Sequence, residues 1–205
     1  NYTLDGDLFS VSQGTELDIE LTTGTDDDNL AVTALPIHVV LEIDSQAGDD
    51  TLSIGDGGYV LDIDGQLSWQ AGAGVDRLLL DDTASSVGRI WRMRTDVVMP
   101  AVGIAYPSIS GNAMYHAVWY RQVEHLELDL SSGSDVAQID ATDPSLQMLT
   151  VRGNAGNEVV TVGEDGGWLL SSVHGRLILD GGPNEGGPDF LNITENNWVG
   201  PDLID

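Results

Sequence analysis

Arg92, Arg94, Tyr115, His116, Trp119 and Arg121 crowd into one stretch of the chain, and their side chains have the chemistry to hold a sugar or an oxyanion. Aromatic faces stack on sugar rings, and guanidinium forks take carboxylate or sulfate groups in paired hydrogen bonds. A second set is purely acidic. Asp27, Asp28, Asp49, Asp50 and Asp76 sit in Gly-rich turns, where clustered carboxylates offer the hard oxygen ligands that calcium takes. Other chemistries are poorly supplied. The four histidines (His38, His116, His125 and His174) form no HxH or HExxH pair for catalytic zinc, cysteine is absent, and there is no G-x-S-x-G elbow. A lyase of acidic polysaccharides needs a base and a cation for the uronate carboxylate, roles that Arg92, Arg94 or Arg121 with His116 could fill. A hydrolase needs a carboxylate pair, and acidic pairs are too abundant here for any one to stand out.

The elements that position these residues repeat. An acid precedes an apolar-x-apolar pair at Asp7 (Phe9, Val11), Asp28 (Leu30, Val32), Asp50 (Leu52, Ile54), Asp76 (Leu78, Leu80), Asp135 (Ala137, Ile139), Glu158 (Val160, Val162) and Asp189 (Leu191, Ile193). A second apolar pair lies nine and seven residues before the acid, at Ile19 and Leu21, Leu41 and Ile43, Leu67 and Trp69, Leu126 and Leu128, and Leu149 and Val151. Gly48, Gly74, Gly133, Gly156 and Gly187 stand two residues before their acids and supply turn conformations. Each unit of about 22 residues therefore reads as strand, tight turn, strand and return. One unit cannot bury its apolar face alone, so units must stack with parallel pairing. The expected fold is all-β, a right-handed parallel β-helix (β-solenoid) with about 22 residues per coil and a third short strand at Tyr59–Ile63. A β-sandwich also accommodates short strands with frequent turns but leaves the register unexplained. No window sustains a helical period.

The repeat fails once. Between Asp76 and Asp135, residues 85–121 break the pattern and carry four of the seven basic residues (Arg89, Arg92, Arg94 and Arg121), whereas residues 1–76 have none. The segment also concentrates Trp91, Tyr106, Tyr115, Trp119 and Tyr120. We expect residues 1–205 to form one domain interrupted by this insertion. It reads either as a binding platform, as interrupting loops often are, or as packing whose arginines pair with the abundant aspartates.

Charge narrows the partners. With 34 acidic against 7 basic residues and a net charge of -27, nucleic acid is excluded as a general partner and docking on an anionic membrane is disfavoured. No apolar run is long enough to span a bilayer, so no membrane insertion is expected. The chain opens on Asn1 rather than Met, which leads us to expect a mature form or an excised piece of something longer.

Two resemblances bear on function. The turns Ala71-Gly72-Ala73-Gly74-Val75-Asp76-Arg77-Leu78, Gln46-Ala47-Gly48-Asp49-Asp50-Thr51-Leu52 and Asn154-Ala155-Gly156-Asn157-Glu158 resemble the repeat-in-toxin pattern Gly-Gly-x-Gly-x-Asp-x-apolar-x, which implies calcium as a cofactor. That family repeats its motif every nine residues, and this chain does so once per unit. Physically, stacked carboxylates about 4.8 Å apart repel, and a cation relieves them. The competing reading is that each Asp accepts backbone N–H groups in its own turn. Over most of its length the chain also resembles modules of very large secreted or surface proteins of environmental bacteria, through Tyr120-Arg121-Gln122-Val123-Glu124-His125-Leu126-Glu127-Leu128-Asp129-Leu130 and Leu80-Asp81-Asp82-Thr83. This resemblance implies a non-catalytic structural or adhesive role, location outside a bacterial cell or on its surface, and other domains of a larger protein as partners. Binding of cell-surface or extracellular glycans through residues 85–121 is the alternative, and a polysaccharide lyase or hydrolase of β-helix type the third.

Overall fold

The structure, a computed structural model, describes residues 2–4, 7–9, 16–55, 57–60, 62–98, 105–111, 117–163, 170–183 and 188–194. Strands β1 (Tyr2–Leu4) and β2 (Asp7–Phe9) pair with each other in antiparallel fashion. From there the chain passes back and forth between two sheets. Strand β3 (Leu17–Thr22) lies in the first sheet, β4 (Asn29–Val32) in the second, β5 (Val39–Asp44) in the first, β6 (Thr51–Ile54) in the second, β7 (Gln66–Gln70) in the first and β8 (Arg77–Asp81) in the second. Three strands then enter the first sheet in succession: β9 (Ile90–Val98), β10 (Ala105–Gly111) and β11 (Val118–Arg121). Alternation resumes with β12 (His125–Asp129) in the second, β13 (Val136–Ile139) in the first, β14 (Met148–Arg152) in the second, β15 (Val159–Val162) in the first, β16 (Arg176–Asp180) in the second and β17 (Phe190–Ile193) in the first. Among the described residues the only helical element is a 3-10 turn at Leu170–Ser172.

The second sheet is parallel throughout, in the order β16-β14-β12-β8-β6-β4. Its alternating residues face the interior in two unbroken rows. One runs Leu30, Leu52, Leu78, Leu126, Leu149, Leu177 and the other Val32, Ile54, Leu80, Leu128, Val151, Leu179. The first sheet answers with Ile19, Leu41, Leu67, Val118 and with Leu21, Ile43, Trp69, Tyr120, then with Ala137 and Val160 beyond the interruption. Burying these apolar rows between the two sheets is the main favourable term available to the fold.

The repeat expected from the sequence holds within each half of the chain and changes meaning between them. Ile19, Leu41 and Leu67 lie in the first sheet, but Leu126 and Leu149 pair with Leu78 in the second. The two sets hold the same offset from their acids and are not structurally equivalent. In the first half the acidic turn leads from the first sheet to the second; after the interruption it leads back. Strands β9, β10 and β11 produce the shift. Strand β10 runs antiparallel to both neighbours, β11 continues the parallel row from β7, and β9 starts the row taken up by β13. The described part of residues 85–121 is thus built into the first sheet.

Two smaller expectations are corrected. Among the described residues Tyr59–Ile63 forms isolated bridges at Tyr59 and Ile63 rather than a third strand; Ile63 pairs in parallel with Leu35, beside backbone bonds of Leu35 with Asp62 and Asp64. Of the unit expected at Asp7, the described strand β2 pairs with β1 and, among the described residues, not with β4; Val11 lies outside the described residues.

Stacked turns bring backbones into close approach. Gly72 follows β7 at φ +107°, and a Cβ there would lie 2.1 Å from the carbonyl oxygen of Gln46 one circuit earlier. Gln46 itself is left-handed at φ 63°. Gly72→Ala is expected to cost about 2 kcal/mol or more, because neither the conformation nor the space is available. Gln46→Gly should be neutral or stabilising within about 1 kcal/mol. Urea denaturation of both variants measures the contrast.

Candidate functional site

The acids of the turns form ladders. The backbone N–H of Asp28 donates to Asp50 Oδ1 (2.8 Å), that of Asp50 to Asp76 Oδ1 (2.9 Å), and that of Asp76 to Glu124 Oε2 (2.9 Å). The return rung also recurs: Thr51, Arg77 and His125 donate N–H to the carbonyls of Asp28, Asp50 and Asp76. An outer ladder runs the opposite way, with Asp49 N–H on Asp27 Oδ1 and Val75 N–H on Asp49 Oδ1, each 2.8 Å. The inner acids therefore take N–H groups chiefly from the neighbouring circuit. Asp28 adds a bond within its own turn, from the N–H of Gly24.

One carboxylate oxygen each of Asp50 and Asp76 (Oδ2) is buried without a donor. Burial raises the pKa of Asp50 despite the hydrogen bond from Asp28. Burial, with the nearby charges of Glu124 and Asp50, pushes Asp76 up to about 6. Glu124 completes this ladder and was overlooked in the sequence, although the rule that found the others applies to it: it stands two and four residues before Leu126 and Leu128.

A second ladder lies on the opposite edge, where the chain passes from the second sheet to the first. Arg89 N–H donates to Asp135 Oδ1 (2.6 Å) and Glu158 N–H to Asp189 Oδ1 (3.1 Å), while Val136, Val159 and Phe190 donate to the carbonyls of Arg89, Asp135 and Glu158. This ladder begins on a cation. The buried guanidinium of Arg89 pairs with the buried Asp82 and reaches Ser85 Oγ. Burial still raises the pKa of Asp82 and Asp135.

The aromatic and basic candidates separate. Tyr115 and His116 lie outside the described residues. Arg92 is exposed on β9, while Arg94 lies in the cross-strand row that runs through Ser108 to Trp119. Trp119 is only 6% exposed, so little of its ring is open for stacking. Trp119 and Arg121 do come together. They line a depression of about 390 Å³ over β3, β5, β7 and β11, with the carboxylates of Glu20, Glu42 and Asp44 and the amide of Gln70. Those three acids were not singled out in the sequence, because they lie at outward strand positions that carry no motif. On the outer face of the second sheet Arg77 and Arg152 clamp Glu127. Burial opposes ionisation of Glu127, but hydrogen bonds from Arg152 and Arg77 outweigh it and hold its carboxyl below the ordinary range.

Among the described residues no group of three or more His, Asp or Glu side chains converges to hold a metal ion, and no helix is long and apolar enough to cross a membrane. Scans of protein-family models, of curated proteins and of solved structures each found no match to the chain.

The inner ladder has a direct test. Asp76→Ala strands the buried N–H of Asp50 and should destabilise by about 2 kcal/mol. Asp76→Asn keeps an acceptor and removes a charge, and should cost less than half as much. Chemical denaturation of the two variants compares them.

Proposed function

We propose that the chain is a non-catalytic β-solenoid module with a structural or adhesive role in a larger bacterial extracellular protein. The observation that carries this reading is the passage of the chain between two sheets whose strands, β10 apart, pair in parallel and in register along their whole length. A body built this way lengthens by adding circuits and presents extended outer faces. The acidic edges support the extracellular setting, since high negative charge favours solubility and tolerance of salt.

Calcium fits this reading as a stabiliser of the first acidic edge. Asp50 Oδ2 and Asp76 Oδ2 are buried with no donor, and Asp27, Asp28 and Asp49 surround them in the adjoining turns. A bound cation would supply positive charge to oxygens that the backbone leaves unanswered. Glycan binding is the second reading, favoured by the one depression that gathers Trp119, Arg121 and acceptor carboxylates.

Thermal melts in calcium and in chelator are expected to differ by several degrees, and an unchanged midpoint removes calcium from the reading. On a glycan array a pure spacer binds nothing. Binding that is lost in Arg121→Ala would instead establish the depression as a glycan site. New absorbance from unsaturated ends during incubation with alginate or pectin would overturn the non-catalytic assignment.

A further inference from the structure

Glu158 departs from the pattern of both ladders. Asp50, Asp76, Glu124, Asp135 and Asp189 each accept a backbone N–H from the neighbouring circuit. Glu158 is buried at 2% exposure, and both of its carboxylate oxygens lack a donor. Its side chain instead shares a cavity with that of Asp189, whose Oδ1 takes the Glu158 N–H. The two carboxyls line a cavity of about 140 Å³ that Gly153 and Gly181 help to form. The glycines leave the room these groups occupy: a Cβ on Gly153 would come 2.9 Å from Glu158 Oε2, and one on Gly181 would come 2.1 Å from Asp189 Oδ2.

The charged groups around Glu158 all have one sign. Asp135 faces it from the preceding circuit and Asp189 from the following one, and Asp180 at the end of β16 lines the same cavity. No Arg or His lines that cavity, in contrast to the other end of the same ladder, where Arg89 answers Asp82. Two ionised carboxylates in one buried cavity repel and have no donor to offer each other, and a single proton between them removes both penalties.

Asp189 is the residue immediately before β17, and β17 is the outermost strand of the first sheet, with all four of its residues exposed. Its attachment begins at this pair: Glu158 N–H donates to Asp189 Oδ1, and Phe190 N–H to the carbonyl of Glu158. We infer that Glu158 and Asp189 share one proton, and that this proton latches β17 onto β15, so that the end of the sheet opens when the pair ionises and releases the proton to solvent. Burial first, then the hydrogen bond and charge of Asp189, push Glu158 up to about 7. A raised carboxyl pKa means that the latched state holds a proton which the open state loses. The stabilisation is complete below the ordinary carboxyl range and disappears as pH rises through about 7.

Amide hydrogen exchange of the full chain in chelator, corrected for intrinsic rates, tests the latch. Protection of the Phe190 and Thr194 amides should fall about tenfold per pH unit between pH 5 and 7 and level off above, while the Val159 amide in β15, bonded to the carbonyl of Asp135 on the other side, holds constant. Glu158→Gln supplies its own N–H to Asp189 and should abolish the slope, and Asp189→Asn should do the same from the other side. The latch is overturned if wild-type protection at Phe190 and Thr194 does not change between pH 5 and 7, if Val159 falls in parallel, or if both variants keep the wild-type slope.

Discussion

Parallel stacking leaves a particular backbone group to be answered at each turn. Where a strand begins, the residue before it points its N–H along the stack, and the adjacent strand has not yet started. In this protein a carboxylate from the next circuit takes that N–H at Asp28, Asp50, Asp76, Arg89 and Glu158. Leaving such a group unanswered would cost on the order of 1–3 kcal/mol each, so acids at these positions are a condition of the fold. The consequence is electrostatic. Carboxylates repeat at the strand spacing and are buried, which raises the pKa of Asp50, Asp76 and Asp135. Part of the chain's extreme acidity follows from its backbone geometry.

The interruption is a change of phase. An antiparallel strand within a parallel sheet has no through-going partner, and β10 is held only by β9 and β11. By letting the chain spend three successive strands in the first sheet, it makes that sheet nine strands wide against six in the second. It also moves the acidic turns to the opposite edge, so each edge carries only part of the charge. The arginines cluster where the two systems meet. Arg89 pairs with Asp82 inside, and Arg77 and Arg152 hold Glu127 on the outer face. Packing and charge compensation thus account for these three, while Arg121 opens onto the depression beside Trp119.

Much of this was legible in the chain because alternation and anchor acids are local signals. The rows Leu30–Leu52–Leu78 and Ile19–Leu41–Leu67 follow directly from counting residues. The failures came from long-range pairing. Leu67 and Leu126 hold the same offset from their acids, and nothing local says that they belong to different sheets. Glu124 obeys the rule but lies just beyond residues 85–121, and its apolar pair Leu126 and Leu128 also stands nine and seven residues before Asp135, which hides it. Tyr59–Ile63 has β-forming residues, yet Gly57 and Gly58 at φ 56° and 87° and the turn at Asp62 leave its described residues isolated bridges in place of a strand. Glu20, Glu42 and Asp44 become neighbours of Trp119 and Arg121 only through strand order, which no motif encodes.

The two ends of the second ladder show how one constraint yields different properties. Each rung needs an acceptor, and the lowest-energy acceptor is an ionised carboxylate. Where a cation is available, as at Arg89, its hydrogen bond and charge oppose the rise that burial imposes on Asp82. At Glu158, whose cavity no Arg or His lines, the proposed latch neutralises the site with a proton instead, and stability at that point becomes a function of pH. The interior rungs have neighbours on both sides to hold them in place. At β17, which has a neighbour on one side only, the same electrostatic term is large relative to the strand's other attachments. Sensitivity therefore concentrates at β17, which among the described residues is the last strand on this side of the first sheet.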